Sequence, residues 1–417
     1  MNGKANQKVA LLGSHLPRQC GIATFTTDLN NALRAEGIGV NSFVVAVNDP
    51  GRRYAYSDCV RVEVAESDID SYHRAAEYLN LNDIEVLCLQ HEYGLYGGVA
   101  GANVLALLRD LRIPIVTTLH TILVHPSASQ RFVMEELTEV SERVVVMSHY
   151  GAACLHDVYH VPPEKIDYIP HGIAPVRSDR SCKRLLDLEG KSVIFTFGLL
   201  SPDKGIEYML DSLPAILERF PNTVYVVVGA THPHVKQSDG EAYRQMLENR
   251  VVCLGVKNQV QFHNRFVSRG ELGHFLSAAD IYVTPYLKPE QITSGTLAYA
   301  LGSGKAVIST PYWYAEELLA EGRGLLVPWR DSAAISRRVI ELMFDENARH
   351  AMQQRASTYT SDMAWPNVAR RYVRSFQLAA AQVNGAKQLG VVHEGLTANE
   401  RAEFETRELV QRPEAAQ

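Results

Sequence analysis

The chain has 417 residues, 46% hydrophobic and 21% charged, an ordinary globular balance that excludes wholesale disorder and suits two to three domains of about 150 residues each. Its formal charge of -6 is uneven, with 13 Lys/Arg against 20 Asp/Glu in residues 1–170 and 28 against 27 beyond. That balance excludes a protein that works by neutralising nucleic-acid phosphates and speaks against a basic membrane-docking face.

The opening segment Met1 to Lys8 is polar, and the apolar run behind it, Val9 to Gly13, is too short for a signal sequence. No run of 18 apolar residues follows, so a cytoplasmic protein without membrane association is expected. The six cysteines are scattered, the nearest pair 28 positions apart, which excludes CxxC redox and zinc-ribbon frameworks. Val9 to Gly13 reads as a buried strand. Thr24 to Glu36 carries Phe25, Leu29, Ala32 and Leu33 at helical spacing and stops at Gly37. Further strands are predicted at Asn41 to Val47, Val86 to Gln90, Ile113 to Leu119, Arg143 to Ser148 and Asp167 to Ile169, with helices over Tyr72 to Leu81, Val99 to Leu111, Gln130 to Val140 and His149 to Val158. After a polar connector, Ala174 to Lys191, the rhythm restarts. Strands are predicted at Val193 to Phe197, Thr223 to Val228, Val260 to His263, Ile281 to Thr284 and Ala306 to Ser309. Helices fall at Gly205 to Phe220, Gly240 to Asn249, Arg269 to Ala279 and Gly295 to Leu301. Short apolar strands alternating with helices imply two doubly wound, Rossmann-like α/β domains.

Ligands of such sheets bind beyond the carboxyl ends of the strands, which selects a short list of loops. Gly198 to Gly205 ends a strand and brings Lys204 to the next helix start, a diphosphate site or else a tight turn with a surface lysine. Glu290 to Thr296 offers a carboxylate and then Ser294, Gly295 and Thr296, a second anion cradle or plain helix capping. His120 ends a buried strand, where its ring is either a cleft group or a satisfied strand-end histidine, with an ordinary pKa near 6.5. His91 and Glu92 end another strand and either contact an acceptor or merely terminate it. Gln19 to Ala23 around Gly21 lacks the GxGxxG spacing of a dinucleotide site, and His232 and His234 lack a third ligand, so no metal is expected. Trp313 and Tyr314 read as packing residues, with a sugar platform as the alternative.

Taken together the motifs resemble the retaining GT-B glycosyltransferases of family 4, from about residue 8 to residue 380. The resemblance rests on Gln19-Cys-Gly21-Ile-Ala, Thr117-Thr-Leu-His120, Pro170-His171-Gly172-Ile173, Gly198-Leu-Leu-Ser-Pro-Asp-Lys204-Gly205, Gly304-Lys-Ala-Val-Ile-Ser, Gly322-Arg-Gly-Leu-Leu-Val-Pro328 and Met363-Ala-Trp365-Pro. It implies a GT-B fold with an acceptor-side domain over residues 1–173 and a donor-side domain over 174–363. A helix over about 364–382 crosses back to the first domain, and 388–417 form a polar tail. The implied partners are a nucleotide sugar and a sugar acceptor, and no metal or other cofactor is implied. By the same resemblance His120 and Glu290 are the catalytic pair and Gly21, Gly198, Lys204, Ser294, Gly295 and Thr296 hold the donor, while His91, Glu92 and His171 line the acceptor side or the cleft. Two departures stand out. The family's arginine after Gly198 is Leu199, for which Arg265 is a replacement, and of the paired glutamates eight positions apart only Glu290 is present. Its partner position is Ala298, or, one step along, the pair becomes Gln291 and Tyr299. The implied activity is hexose transfer from a UDP- or GDP-sugar to a hydroxyl acceptor. A sugar 1-phosphate phosphorylase and a non-catalytic nucleotide-sugar sensor are the alternatives.

Overall fold

A computed structural model of the protein describes residues 7–395 apart from 36, 175, 177, 178 and 180. Two parallel sheets form it. The first has the order β3-β2-β1-β4-β5-β6-β7, with β1 (Gln7–Gly13), β2 (Val40–Asn48), β3 (Val60–Ala65), β4 (Val86–His91), β5 (Ile115–Leu119), β6 (Arg143–Val146) and β7 (Ile166–Tyr168). The second has the order β10-β9-β8-β11-β12-β13, with β8 (Ser192–Phe197), β9 (Thr223–Val228), β10 (Val260–His263), β11 (Ile281–Thr284), β12 (Ala306–Ser309) and β13 (Leu325–Leu326). Chain order reverses between β1 and β4 in one sheet and between β8 and β11 in the other. Crevices at those switch points are where α/β sheets hold ligands.

The central strands are apolar on both faces because helices cover both, which is why they read as continuous hydrophobic runs. β3 went unread for the opposite reason. Its sequence VRVEVA alternates, and its burial alternates with it, as suits an edge strand. The chain also carries helices at Ser332–Phe344 and Glu346–Thr360 beyond the last predicted strand, and a short one at Ser181–Leu185 within the polar connector.

The final helix, Trp365–Gly395, returns to the first sheet. It buries Trp365, Val368, Ala369, Tyr372 and Phe376 in the same hydrophobic cluster as Val9, Leu11 and Val86. Residues 388–395 of the expected tail belong to this helix, and 396–417 lie outside the described residues. The return is pinned by backbone hydrogen bonds from Ile173 N to Met363 O (2.9 Å) and from Trp365 N to Ile173 O (3.1 Å). Gly172 makes the crossing possible, since a Cβ there would stand 2.4 Å from the Trp365 ring.

The two halves share more than this crossing. One cluster of buried side chains runs from the first sheet through Ile173 to Phe195, Tyr282 and Leu297 of the second. Ile292, from the loop after β11, is 3% exposed and packs with Leu119, Ile122, Val144 and Cys154 of the first half. Glu317 accepts hydrogen bonds from His149 N (2.8 Å) and Tyr150 N (3.4 Å), capping the helix His149–Tyr159 from across the interface. Gly172→Ala should therefore lower stability by about 1–3 kcal/mol, the usual cost of overfilling a packed site. A denaturation midpoint equal to that of the parent protein would show that Trp365 is not seated on this glycine.

Candidate functional site

The loop after β8 and the helix after β11 meet at the second switch point. Gly198 has φ of 135°, a left-handed value, and a Cβ there would lie 3.2 Å from Thr296 Cγ2. The two loops, separate in the sequence, therefore form one cradle. Ser294 caps the helix Gly295–Gly302, accepting from Leu297 N at 3.3 Å, and its hydroxyl lies 3.1 Å from that of Thr296. Thr296 Oγ1 is also 2.9 Å from the Tyr286 hydroxyl. Lys204 brings its ammonium 3.9 Å from the centre of the Tyr286 ring and 3.9 Å from Asp203. Gly205 behind it has φ of 60°, and a Cβ there would meet Pro285 O at 2.2 Å. A helix start, small hydroxyl residues and a lysine ammonium held over an aromatic face are groups that can hold an anion.

The first half presents histidines to the same place. His120 follows β5, is 7% exposed, and its Nε2 lies 3.0 Å from Gln90 Oε1. His171 holds Gly172 O through Nδ1 at 2.8 Å, and a Cβ on Gly295 would come 3.0 Å from its Nε2. Phe25 joins them, with edge-to-face contacts to His120 (4.8 Å), His171 (5.1 Å) and Trp365 (5.4 Å) between ring centres. A path of contacts thus runs from His120 through Phe25 and His171 to Gly295 and the cradle. Burial depresses these histidines far below the expected 6.5. His120 falls to about 3, with His171 and His91 adding repulsion, and His171 falls to about 4. An acidic limb near 6.5 from His120 is therefore not to be expected.

His91 departs from its expected place at the cleft. It is wholly buried against Tyr93 and Tyr96, with neither ring nitrogen hydrogen-bonded, and burial lowers its pKa to about 3. Glu92 is only partly buried in the mouth of the first sheet, accepting from Thr121 Oγ1 at 2.7 Å and from Tyr93 N at 3.0 Å. Desolvation raises its carboxyl, while those bonds and Lys288 oppose the rise. Glu290 is partly buried in the loop that carries Ile292, and its charge adds to the burial that pushes up the Cys154 thiol of the first half. Gly21 opens the helix Gly21–Leu33 at an exposed position where a Cβ would meet nothing within 4 Å. Arg265, named for the missing cation, lies beyond the edge strand β10 and pairs with Glu271 at 2.7 Å. His232 caps the helix Pro233–Asp239.

The unread element of the site is Asp28. Its side chain is 4% exposed, and it receives Arg269 Nη1 at 2.6 Å and the Tyr299 hydroxyl at 2.5 Å, both from the other half. Burial raises the Asp28 carboxyl, and Tyr299 and Arg269 oppose that rise. On its helix Tyr299 faces the first half while Ala298 is 0% exposed in the core. The helix thus puts Tyr299, not Ala298, at the cleft, and eight residues before it stands Gln291, whose Nε2 donates to Thr293 O. Nothing in the sequence ties Asp28 to a residue 271 positions away.

Two parallel α/β halves, of seven and six strands, with candidate ligand loops beyond the carboxyl ends of the strands, define a GT-B protein. The descriptions "Glycosyltransferase Family 4" and "Glycosyl transferases group 1" match residues 20–177 and 179–359 in succession. The chain belongs to the family 4 glycosyltransferases, enzymes that transfer a sugar from a nucleotide-sugar donor. It is 27% identical over 316 residues to the D-inositol 3-phosphate glycosyltransferase of Corynebacterium efficiens, covering 70% of this chain and 71% of that one. It is 26% identical over 204 residues to the phosphatidyl-myo-inositol mannosyltransferase of Mycolicibacterium smegmatis, covering 48% of this chain and about half of that protein's length. In fold it is similar to Anabaena HepE in complex with UDP and glucose, with a TM-score of 0.71 at 16% identity over 89% of this chain and 99% of that one. The sucrose-phosphate synthase of Thermosynechococcus elongatus gives 0.72 at 19% identity, over 90% of this chain and 100% of that one. Among the described residues no helix is long and apolar enough to cross a membrane.

Three histidines held neutral have a consequence for stability. In the unfolded chain each takes up a proton near pH 6.5, whereas folded His91, His120 and His171 do not until about pH 3 to 4. The unfolded state therefore binds more protons below pH 6.5, and stability falls with pH. The three together should remove about 4 kcal/mol between pH 7.5 and 5.5. Urea midpoints across that range check it, and an unchanged midpoint would show the histidines to be accessible to protons.

Proposed function

We propose that the protein is a retaining hexosyltransferase that moves a sugar from a UDP- or GDP-sugar to a hydroxyl of a saccharide or cyclitol acceptor, without a metal ion. The observation that carries this reading is the single cradle made by Gly198, Lys204, Ser294 and Thr296, with His120 linked to it through Phe25 and His171. A departing diphosphate needs its charge neutralised, and Lys204 with the amides at Gly295 supplies this. His120, kept neutral, accepts a hydrogen bond from a donor-sugar hydroxyl and orients the anomeric carbon without placing positive charge beside a centre that is becoming positive. Glu290 contacts further hydroxyls of the same sugar. The acceptor enters from the first half, past Glu92 and Thr121, and attacks the face that the diphosphate leaves, giving its hydroxyl proton to the departing diphosphate oxygen as the anomeric C–O bond breaks, so the configuration is kept. The two inositol-directed relatives support a ring polyol among acceptors. The packed interface between the halves excludes water from the reacting centre.

Incubation with UDP- and GDP-sugars, assayed for nucleoside diphosphate release, tests the reading. Release of inorganic phosphate from a sugar 1-phosphate instead would make the enzyme a phosphorylase, and ligand binding without any turnover would make it a sensor. Lys204→Ala should cost about 2–4 kcal/mol in donor turnover, the scale of losing one charge-stabilising group. Unchanged kinetics would remove the diphosphate assignment. Glu290→Gln should be milder than Glu290→Ala, because an amide oxygen still accepts. Equal loss in both, with an altered pH profile, would make Glu290 a proton carrier. His120→Ala should lower kcat about tenfold or more and leave nucleoside diphosphate affinity nearly intact, and wild-type turnover would reduce His120 to a strand-end residue.

A further inference from the structure

Gln90 is the side chain beneath His120. It stands on β4 with no exposed surface. Gly13 at the end of β1 gives it room, since a Cβ on Gly13 would come 3.1 Å from Gln90 Cβ and 3.4 Å from its Cγ. Both ends of the amide are engaged. Nε2 donates to Cys88 Sγ at 3.2 Å and to Thr118 Oγ1 at 3.4 Å, and Oε1 lies 3.0 Å from His120 Nε2. Burial pushes the Cys88 thiol up to about 12, so its sulfur is a neutral acceptor. The Thr118 hydroxyl lies 3.0 Å from the Tyr372 hydroxyl, which comes from the final helix. The amide is therefore clamped from β4, β5 and the final helix together.

An amide oxygen only accepts hydrogen bonds, whereas a neutral imidazole has one donor nitrogen and one acceptor. The proton of His120 must then sit on Nε2, which leaves Nδ1 bare. Among the described residues no protein hydrogen bond engages Nδ1. The titratable groups that face the ring are His91 from β4 and His171 from the junction, with Phe25 from the first helix packed against it.

We infer that Gln90 is a positioning residue for sugar transfer: it holds His120 as the Nε2–H tautomer and so presents Nδ1 to the cleft as a hydrogen-bond acceptor. The inference rests on the role given to His120 above. A sugar hydroxyl then donates to Nδ1, which leaves the oxygen's lone pairs facing the anomeric centre. The opposite tautomer would present an N–H and reverse that bond.

The ring 15N resonances of histidine report the tautomer directly, and His120→Ala identifies the His120 signals in the full-length protein. The expected result is an unprotonated Nδ1 and a protonated Nε2 throughout pH 7.5 to 5.5. In Gln90→Leu, similar in size but unable to accept, the tautomers should mix and kcat should fall about tenfold while donor KM stays within about threefold. Gln90→Glu keeps the acceptor. It should retain the Nε2–H tautomer and more of the activity than Gln90→Leu, and its carboxylate should draw protonation of His120 upward so that an acidic limb appears in kcat. A wild-type His120 protonated on Nδ1 would overturn the inference, and so would Gln90→Leu with the parent tautomer and parent kcat. Should Gln90→Leu fail to fold, the wild-type spectrum and Gln90→Glu decide. A fully active His120→Ala would instead overturn the role of His120, while the spectra would still report whether Gln90 sets the tautomer.

Discussion

A carboxylate buried between two separately folded sheets is costly unless both of its oxygens are served, because removing one partner of a buried ion pair costs about 3–5 kcal/mol. Asp28 is in that position. It belongs to the first helix of the chain, yet the groups that satisfy it, Arg269 and Tyr299, come from the second half. Neither half alone completes this site. The arrangement of the two halves, and with it the distance from His120 to the cradle, depends on Asp28 being satisfied in this orientation.

Tyr299 has a double effect through this bond. It gives the interface a strut between the two halves, and it serves an oxygen of Asp28 that would otherwise be buried without a partner. A hydroxyl already committed to Asp28 is not available to a nucleotide in this arrangement.

Much of the fold was legible because parallel strands covered on both faces must be apolar throughout, and β9, β10, β11 and β12 were bounded correctly on that ground. β3 was not, because an edge strand with one wet face resembles a charged loop. Among the candidate site residues, His120 and Gly198 were singled out because they follow strands and Lys204 because it precedes a helix, while His171 entered through the family resemblance. Their environment was not. The low pKa values of the histidines come from enclosure by Phe25, Trp365 and neighbouring rings brought in from three regions of the chain. Asp28 looked like one more polar residue of an amphipathic helix, and Gln90 like the last residue of a strand, since their partners lie up to 271 positions away.

Ile292 ties the donor loop to the hydrophobic interior of the opposite half. Any separation of the halves has to withdraw that side chain into water, at about 1.5–3 kcal/mol. One residue therefore favours the closed form over the open one by a factor of roughly ten to a hundred. The same residue sits two positions beyond Glu290. On the role proposed for Glu290, the loop that meets the sugar is thus also the loop that anchors one half in the other, and the halves part no faster than an isoleucine leaves its socket.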